Sequence, residues 1–317
     1  MNFNFAKAQS SLIATLSHDD NVKVFYGKDA LKQAHEAATS GDVITLSSGS
    51  FNATTITKAI TLRGAGVIDD SENGIESTRI NSTITIRSAN DTINRINIEG
   101  IIFEGTTYSN SNTCDIIFKN CRLREISDDN YHKNNNIFLV NCRVTDHIRL
   151  SYATQISCLN SIIRLVSGQN FCFKNCILQL STSPRNSSFE NSIFVQNYSN
   201  RNFFLEHESI VKNCISNYSN TFNQITNNTN KTYDITKLFK TFSDIDHFSS
   251  STSELFELTE EARTTYLGTD GKEVGIHGGD FPYDETSDFP RIIKCNVAPK
   301  STVDGKLNVE IQVTTGK

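Results

Sequence analysis

The chain has 317 residues, of which 37% are hydrophobic, and its net charge is −5. It is long enough for a sizeable core, which a single solenoid could hold. A sequence pI of about 5.8 argues against a general nucleic-acid binder, which needs a basic patch. No run approaches the roughly 18 apolar residues of a membrane-spanning helix.

Residues 1–25 are predicted to be a lead segment that precedes the folded region. The stretch from Met1 to Leu16 contains Lys7 but no continuous apolar run, so no intact signal peptide is recognisable. The protein is therefore either intracellular or exported with a leader that this sequence lacks.

Residues 28–39 predict a short helix, because Asp29 lies near the start, alanines fill the middle and Gly41 follows the end. Its apolar face contains Leu31, Ala34, His35 and Ala38. We expect this helix to cap the amino-terminal end of a solenoid, whose first coil would otherwise expose its core. The first strand is predicted at residues 43–46.

A short motif recurs six times between residues 116 and 217: an apolar residue, any residue, Asn, Cys or Ser, any residue, and usually another apolar residue. Its asparagines are Asn120, Asn141, Asn160, Asn175, Asn191 and Asn213. Their spacing of 15 to 22 residues is that of solenoid turns. Side chains alternate inward and outward on both sides of each Asn, which predicts two strands that meet at a corner. Asn suits such a corner because it tolerates left-handed backbone dihedrals.

The repeat predicts an all-β fold, a parallel β-helix that occupies residues 26–235 together with the capping helix. Equivalent Asn side chains are expected to bond one another along the stack, as in the asparagine ladders of cross-β structures. Gly64 and Gly100 stand at the Asn position upstream, where glycine also permits a left-handed corner. The 36 residues between them leave room for two coils, which predicts about nine coils between residues 50 and 230.

Half of the eight cysteines share one position of the repeat, the position after Asn, with two serines. These residues are Cys121, Cys142, Cys176 and Cys214, with Ser161 and Ser192. A position that accepts Cys or Ser requires a small buried side chain, which favours free thiols over disulfides or a zinc site. Cys172 and Cys176 are the nearest approach to a metal-binding spacing, but Cys172 is expected to face outward. We therefore predict no metal.

Residues 236–290 are predicted to form the carboxy-terminal cap, and residues 291–317 a β-strand tail. The aromatic candidates for the cap are Phe239, Phe242, Phe248 and Phe256. In the tail, strands are predicted at residues 291–297 and 306–313, with Asp304-Gly305 in the connection between them.

The two ends of the chain resemble uncharacterised β-helix proteins of gut Bacteroidetes. The resemblance rests on Phe25-Tyr26-Gly27, Gly41-Asp42-Val43-Ile44-Thr45-Leu46, Tyr266-Leu267-Gly268-Thr269-Asp270-Gly271, Val274-Gly275-Ile276-His277-Gly278-Gly279 and Asp304-Gly305-Lys306-Leu307-Asn308-Val309. It implies a right-handed, pectate-lyase-like parallel β-helix and an exported protein, in the periplasm, at the cell surface or outside the cell. It implies no particular activity.

The catalytic residues of such folds are not recognisable in this sequence, and they stay unknown. Polygalacturonases resemble one another in four motifs, three of which are absent or misplaced here. Pectate lyases use Ca²⁺ between carboxylates, for which Asp115, Asp128 and Asp129 are the nearest candidates. Residues 131–133, with His132, and His207 are read as polar surface.

The candidate ligand-binding residues are Arg122, Arg143, His147 and Arg149. Arg122 and Arg143 share a repeat position in successive coils, so they should stack on the outer face, where bidentate contacts could hold an acidic sugar. The alternative is a solvated face balanced by Glu125 and Asp146.

The sequence predicts a non-catalytic exported β-helix protein that binds a polysaccharide or a surface partner. One alternative is a polysaccharide lyase or glycoside hydrolase acting on an acidic glycan, and a second is a structural spacer. No cofactor is predicted, except Ca²⁺ under the lyase alternative. The protein is expected to be a monomer that binds no nucleic acid and has no transmembrane segment.

Overall fold

The structure of the chain is a computed structural model. It describes residues 12–72, 76–87, 95–109, 115–128, 136–151, 155–197, 202–206, 208–226, 229–241, 256–286, 290–297, 300–302 and 304–314.

These residues form short strands and three α-helices. The elements are β1 (Ile13–His18), β2 (Asn21–Tyr26), α1 (Ala30–Ala37), β3 (Val43–Leu46), β4 (Gly49–Phe51), β5 (Thr55–Ile56), β6 (Thr61–Arg63), β7 (Thr78–Ile80), β8 (Ile84–Ile86), β9 (Arg95–Glu99), β10 (Ile102–Ser109), β11 (Asp115–Lys119), β12 (Arg122–Asp128), β13 (Asn136–Val140), β14 (Arg143–Leu150), β15 (Gln155–Leu159), β16 (Ile162–Gly168), β17 (Phe171–Lys174), β18 (Ile177–Leu178), β19 (Ser188–Glu190), β20 (Ile193–Phe194), β21 (Ile210–Lys212), β22 (Ile215–Ser216), β23 (Lys231–Thr232), α2 (Ile235–Leu238), α3 (Glu260–Thr265), β24 (Arg291–Val297) and β25 (Val309–Thr314). In this part of the chain, none of the helices has the length and apolar content needed to cross a membrane.

Two long sheets run the length of a β-solenoid of about eight turns. Sheet A has the order β2-β1-β3-β6-β9-β11-β13-β15-β17-β19-β21, and sheet B has the order β23-β22-β20-β18-β16-β14-β12-β10-β7-β4, with β5 and β8 beside it. From β3 onward the strands within each sheet are parallel. The predicted all-β parallel β-helix is therefore confirmed.

The predicted count of nine coils is wrong because the chain between Gly64 and Gly100 forms one long turn. β6 pairs directly with β9, and the Gly64 N–H donates to the Glu99 carbonyl at 2.8 Å. Gly64 does not adopt the left-handed conformation, whereas Gly100 does, with φ 66°. Glycine is required at position 64 by close packing, since a Cβ there would lie 2.3 Å from the Gly100 carbonyl oxygen.

All six Asn residues of the repeat form the predicted corners. Their φ values lie between 45° and 53°, the left-handed region that Asn tolerates better than most residues. A ladder contact occurs at a different corner, where Asn186 Nδ2 donates to Asn170 Oδ1 at 2.6 Å. Four of the repeat asparagines, Asn120, Asn160, Asn191 and Asn213, instead bond the carboxy-terminal part of the chain through their side chains.

The interior of the solenoid is packed with aromatic, aliphatic and thiol side chains. Phe173 is fully buried, and its ring stacks on those of Phe171 and Phe189, with centroids 5.3 and 5.1 Å away. The four repeat cysteines are free and buried, as predicted. Burial raises the pKa of the Cys176 and Cys214 thiols to about 12.

Cysteine and serine interchange in the repeat because both donate the same hydrogen bonds. Cys142 Sγ donates to the Val140 and Phe118 carbonyls, both at 3.3 Å. In the next coil, Ser161 Oγ donates to the Leu159 carbonyl at 2.8 Å and to the Leu139 carbonyl at 3.3 Å. In each case the acceptors are the carbonyl two residues earlier and a carbonyl of the preceding coil. The position therefore requires a small donor as well as a small side chain.

The amino-terminal end is closed by α1 and by a hairpin that the sequence did not predict. The predicted helix over residues 28–39 is found at 30–37, with Ala30, Leu31, Ala34 and His35 buried. β1 pairs antiparallel with both β2 and β3, and so extends sheet A beyond its first parallel strand. Part of the predicted lead segment is therefore a component of the sheet.

The segment from Leu267 to Thr286, here called the C-terminal strap, runs back along the Asn corners. Asn213 donates to the Leu267 carbonyl at 3.0 Å, Asn160 to the Gly278 carbonyl at 2.8 Å and Asn120 to the Thr286 carbonyl at 2.8 Å. The strap therefore passes from the last coils toward the earlier ones as the chain advances. Its backbone lies close to the corners, since the Gly275 N–H donates to the Asn191 carbonyl at 2.8 Å, and a Cβ on Gly275 would lie 2.6 Å from Ile193 Cδ1.

A second apolar core lies between the strap and the outer face of sheet B. The outward position two residues after Asn is isoleucine in four successive coils, at Ile162, Ile177, Ile193 and Ile215. These side chains are buried against residues of the cap and strap, which include Leu238, Phe239, Phe256, Val274, Ile276 and Tyr283. The predicted cap aromatics Phe239 and Phe256 pack edge to face at 5.6 Å, whereas Phe242 and Phe248 lie outside the described residues.

The tail forms the antiparallel pair β24 and β25, close to the two predicted strands. Alternate residues of this region, Leu307, Val309, Ile311 and Val313, are 51–58% exposed.

Candidate functional site

Arg122 and Arg143 lie in one column on the outer face of sheet B, as predicted. Their Cα atoms are register partners in the parallel strands β12 and β14. The column continues to Ile102 on one side and to Ile162 on the other. Arg143 is therefore the direct neighbour of Ile162, the first of the four isoleucines in this column.

The strap brings a carboxylate to this basic part of the column. Arg122 Nη2 donates to Glu285 Oε2 at 2.7 Å, and the Tyr283 hydroxyl donates to Glu285 Oε1 at 2.9 Å. Burial opposes ionisation of Glu285, but the Arg122 hydrogen bond and the charges of Arg122 and Arg143 hold its pKa below the usual value. Burial raises the pKa of Tyr283 well above its usual value, so this phenol stays a neutral donor.

Arg143 does not point to water, and the expectation that it would is wrong. It is 4% exposed because the strap lies over the column at this coil. Arg122 keeps 31% of its side chain exposed. A carboxylate beside these arginines, which we expected a ligand to supply, is already present in the chain as Glu285.

His147 and Arg149 lie beyond a bulge in β14 that separates them from Arg143. The register shifts between Val144 and His147, and His147 stands opposite Glu125 of β12. Burial and the charge of Arg149 lower the pKa of His147. Arg149 is 54% exposed, and its Nη1 lies 2.9 Å from Glu125 Oε1. The four candidate residues are therefore divided into a pair under the strap and a pair across the bulge, and ligand binding by them stays a prediction.

An open cleft of about 470 Å³ lies at the bulges themselves, next to Arg122. Four arginines line it, Arg79, Arg122, Arg124 and Arg164, together with the carboxylates of Glu104 and Asp146. Arg79 is held by Glu104 at 2.5 Å and by Asp69. Within the described part of the chain, no ion pair or hydrogen bond is found for Arg124, which is exposed, or for Arg164, which is half-buried.

A second cleft of about 510 Å³ adjoins the first and shares Arg79 with it. Its other lining residues are small or acidic: Gly49, Ser50, Asp69, Ser71, Glu76 and Ser77. Asp69 Oδ1 accepts a hydrogen bond from the Ser77 N–H at 2.7 Å. Burial opposes the charge of Asp69, but hydrogen bonds from Ser77 and Arg79 hold its pKa below the usual value. The two clefts share Arg79 and are together called the groove here, with hydroxyls in one cleft and guanidinium groups in the other.

The carboxylates considered for calcium are engaged elsewhere. Asp128 is buried and Oδ2 accepts the Ser151 N–H at 2.7 Å, while Asp115 Oδ1 accepts Asn136 Nδ2 at 3.1 Å. Asp129, His132 and His207 lie outside the described residues. The described residues contain no group of three His, Cys, Asp or Glu side chains placed to hold a metal ion.

Comparison of the chain with protein-family models, with curated proteins and with solved structures finds no match.

Sequence reasoning missed the groove, the strap and the role of Glu285. Arg124 and Arg164 were not singled out because each stands at a bulge, where the alternation of inward and outward residues breaks. The strap did leave a signal: an outward position that is isoleucine in four successive repeats indicates a surface that another segment covers.

Proposed function

We propose that this protein is a non-catalytic binding scaffold for an acidic polysaccharide, which lies along the groove beside the strap. The observation that carries the proposal is the pair Arg124 and Arg164, two guanidinium groups in one cleft without an ion-pair partner in the described chain. Guanidinium groups bind carboxylates through two parallel hydrogen bonds, which gives geometric specificity as well as affinity.

The charges of the cleft favour an anionic ligand once the internal pairs are accounted for. Glu104 is held by Arg79, and Arg122 is held by Glu285. Arg124 and Arg164 then remain with only Asp146 among the lining acids. A ligand carboxylate in this cleft would gain attraction that solvent screens only in part.

The adjoining cleft supports a saccharide rather than a small anion. Ser50 and Ser71 offer hydroxyl groups, and Asp69 and Glu76 offer acceptors for sugar hydroxyls. A polymer with carboxylates and free hydroxyls would match both ends of the groove. Trp, the usual residue that stacks on sugar rings, is absent from the chain, so polar contacts would dominate.

We also propose that the protein is exported. The support is the resemblance of both ends of the chain to exported β-helix proteins. Fractionation of the source cells with an antibody against this chain tests it, and a purely cytoplasmic signal would overturn it.

Titration of the protein with polygalacturonate and with its methyl-esterified form tests the binding proposal. The wild type should bind the free acid, less tightly as salt rises, and bind the ester weakly. An Arg124→Ala/Arg164→Ala variant should lose at least about tenfold in affinity, equivalent to about 1.4 kcal/mol.

The matched control is Lys23→Ala/Lys212→Ala, which removes the same charge from exposed positions outside the groove. Equal losses in both variants would reduce the effect to net charge and overturn the site. Ultraviolet absorbance by an unsaturated product during incubation would instead identify a lyase, and would overturn the non-catalytic assignment.

A further inference from the structure

Among the described residues, sheet A ends in an unpaired strand edge at its amino-terminal side. β2 is the last strand of that sheet, and β1 is its strand partner in the described chain. Helix α1 covers the core side of this hairpin but does not pair with the edge. A terminal strand presents a row of backbone N–H and C=O groups that can pair with another strand.

The solvent-facing side of β2 is apolar. Val22, Val24 and Tyr26 alternate along the strand and are 63%, 44% and 64% exposed. Phe25, on the opposite side, packs against the core. The one charged side chain of this strand is Lys23, and it lies on the same side as Phe25.

The hairpin geometry fixes which backbone groups face the open edge. A two-residue turn joins β1 to β2, and the closing pair is His18 with Asn21. In such a hairpin the closing pair is hydrogen-bonded, and hydrogen-bonded pairs then alternate along the ladder. Asn21, Lys23 and Phe25 therefore direct their backbone groups toward β1. The N–H and C=O groups of Val22, Val24 and Tyr26 point outward.

We propose that this edge binds the same edge of a second copy of the chain, antiparallel and with Val24 on the twofold axis. Val24 then faces the partner's Val24, and Val22 faces the partner's Tyr26. Each opposed pair of outward residues exchanges two backbone hydrogen bonds. This register uses all three outward residues of each strand, whereas a slip of one step to either side leaves one of them without a partner.

Charge disfavours one of the two slipped registers. With Val24 on the axis, Lys23 stands beside the partner's Phe25. A slip that puts Lys23 on the axis would oppose two ammonium groups, which is unfavourable across a strand pair. In the favoured register the apolar side chains of both copies also meet on one face as aromatic and β-branched pairs, the combinations that stabilise adjacent strands.

The symmetric contact is preferable to head-to-tail stacking. Pairing β2 with β21, the strand at the other end of sheet A, would leave a new open edge after every addition and would produce filaments. The twofold contact uses both β2 edges and closes. A monomer was expected from the sequence, whereas this edge provides a reason for a dimer.

Sedimentation of the full chain over a range of concentrations tests the proposal. The wild type should reach the mass of a dimer. Val24→Lys should remain a monomer, because it would place two like charges on the axis of the dimer. Its circular dichroism spectrum should be unchanged. The matched control is Ile210→Lys in β21, where the replaced side chain is 61% exposed, and this variant should still dimerise. A monomeric wild type, dimerisation of Val24→Lys, or loss of the dimer in Ile210→Lys would each overturn the proposal.

A cysteine at the axis tests the register itself. Hydrogen-bonded antiparallel partners have Cα atoms about 5.5 Å apart, within the range that a disulfide spans. Mild oxidation should therefore link Val24→Cys into a covalent dimer, and should not link Val22→Cys or the wild type. Linkage of Val22→Cys in preference to Val24→Cys would overturn this register.

Discussion

Gly279 of the strap lies so close to Asn175 that a Cβ on Gly279 would stand 2.1 Å from Asn175 Nδ2. The contact shows why the corner residue and the strap glycine depend on each other. Asn makes the corner of the coil, and glycine lets the strap backbone rest on that corner. At the corners the strap therefore contacts the coils through backbone and amide groups, whereas its large side chains pack on the isoleucines of sheet B.

We predict that Gly279→Ala destabilises the fold by about 3 kcal/mol or more. Ala in a left-handed conformation costs about 1–2 kcal/mol, and the contact with Asn175 adds a steric cost. Gly271 is the matched control, since its φ of 73° is close to the 76° of Gly279 and a Cβ on Gly271 would have no other atom within 4 Å. Denaturant unfolding of both variants should show the larger loss at Gly279, and equal losses would contradict the close contact.

The corners and the strap differ in how well the sequence predicts them. The corners could be predicted because each repeat contains its own evidence, an Asn between two alternating runs. The path of the strap could not, because its hydrogen-bond partners at the corners are 54 to 166 residues away in sequence, as with Asn213 and Leu267 and with Asn120 and Thr286. The same separation in sequence explains why only part of the candidate site could be predicted. The stacking of Arg122 on Arg143 followed from the repeat, but the position of Glu285 did not.

We predict that Glu285→Gln destabilises the protein by about 1–3 kcal/mol at neutral pH. The change leaves Arg122 and Arg143 beside a neutral amide, and removing one partner of a largely buried pair is costly. Asp280→Asn is the control, because Asp280 pairs with Lys272 at 2.6 Å but is 80% exposed, and an exposed pair contributes less than about 1 kcal/mol. Chemical denaturation should show a larger loss in the free energy of unfolding for Glu285→Gln than for Asp280→Asn.

Acid should remove this contribution of Glu285. The pKa of its carboxyl is lower in the folded chain than in the unfolded chain, where it is about 4.3. Its stabilising effect is therefore complete above the unfolded pKa and is lost as the pH falls through the folded pKa. The difference in the free energy of unfolding between wild type and Glu285→Gln should therefore decrease below about pH 4. A gap that stays constant with pH would mean that the lost stability is not electrostatic.

The buried cysteines should resist thiol reagents until the protein unfolds. Burial raises the pKa of Cys176 and Cys214 to about 12, so the reactive thiolate is rare at neutral pH. Among the six cysteines whose burial the structure describes, Cys172 is the one that is only partly buried, and it should label before the other five. Peptide mapping after brief alkylation measures this order. Disulfides among Cys121, Cys142, Cys176 and Cys214 would contradict it.

The inward aromatic residues should carry far more stability than their outward neighbours. Phe173→Ala should cost about 3–5 kcal/mol, because it removes a fully buried ring from the stack with Phe171 and Phe189. Lys174→Ala should cost less than about 1 kcal/mol, since its pair with Glu190 at 3.1 Å is partly exposed. Thermal unfolding of the two variants compares adjacent positions of strand β17. Similar losses in the two variants would contradict the observed register.

Lys58 should stabilise the amino-terminal cap through the end of helix α1. Its Nζ donates to the carbonyl oxygens of His35, Glu36 and Ala38 at 2.7, 2.9 and 2.6 Å. The last carbonyls of a helix lack partners within the helix, and a cation there also interacts favourably with the helix dipole. Lys58→Met keeps most of the aliphatic stem and should cost about 1–3 kcal/mol. Lys32→Met is the control, because Lys32 is 59% exposed and its distance to Glu36 is 3.9 Å, and its loss should stay below about 0.5 kcal/mol. Hydrogen exchange of the α1 amides should increase in the first variant alone, and equal exchange in both would remove Lys58 as the cap of this helix.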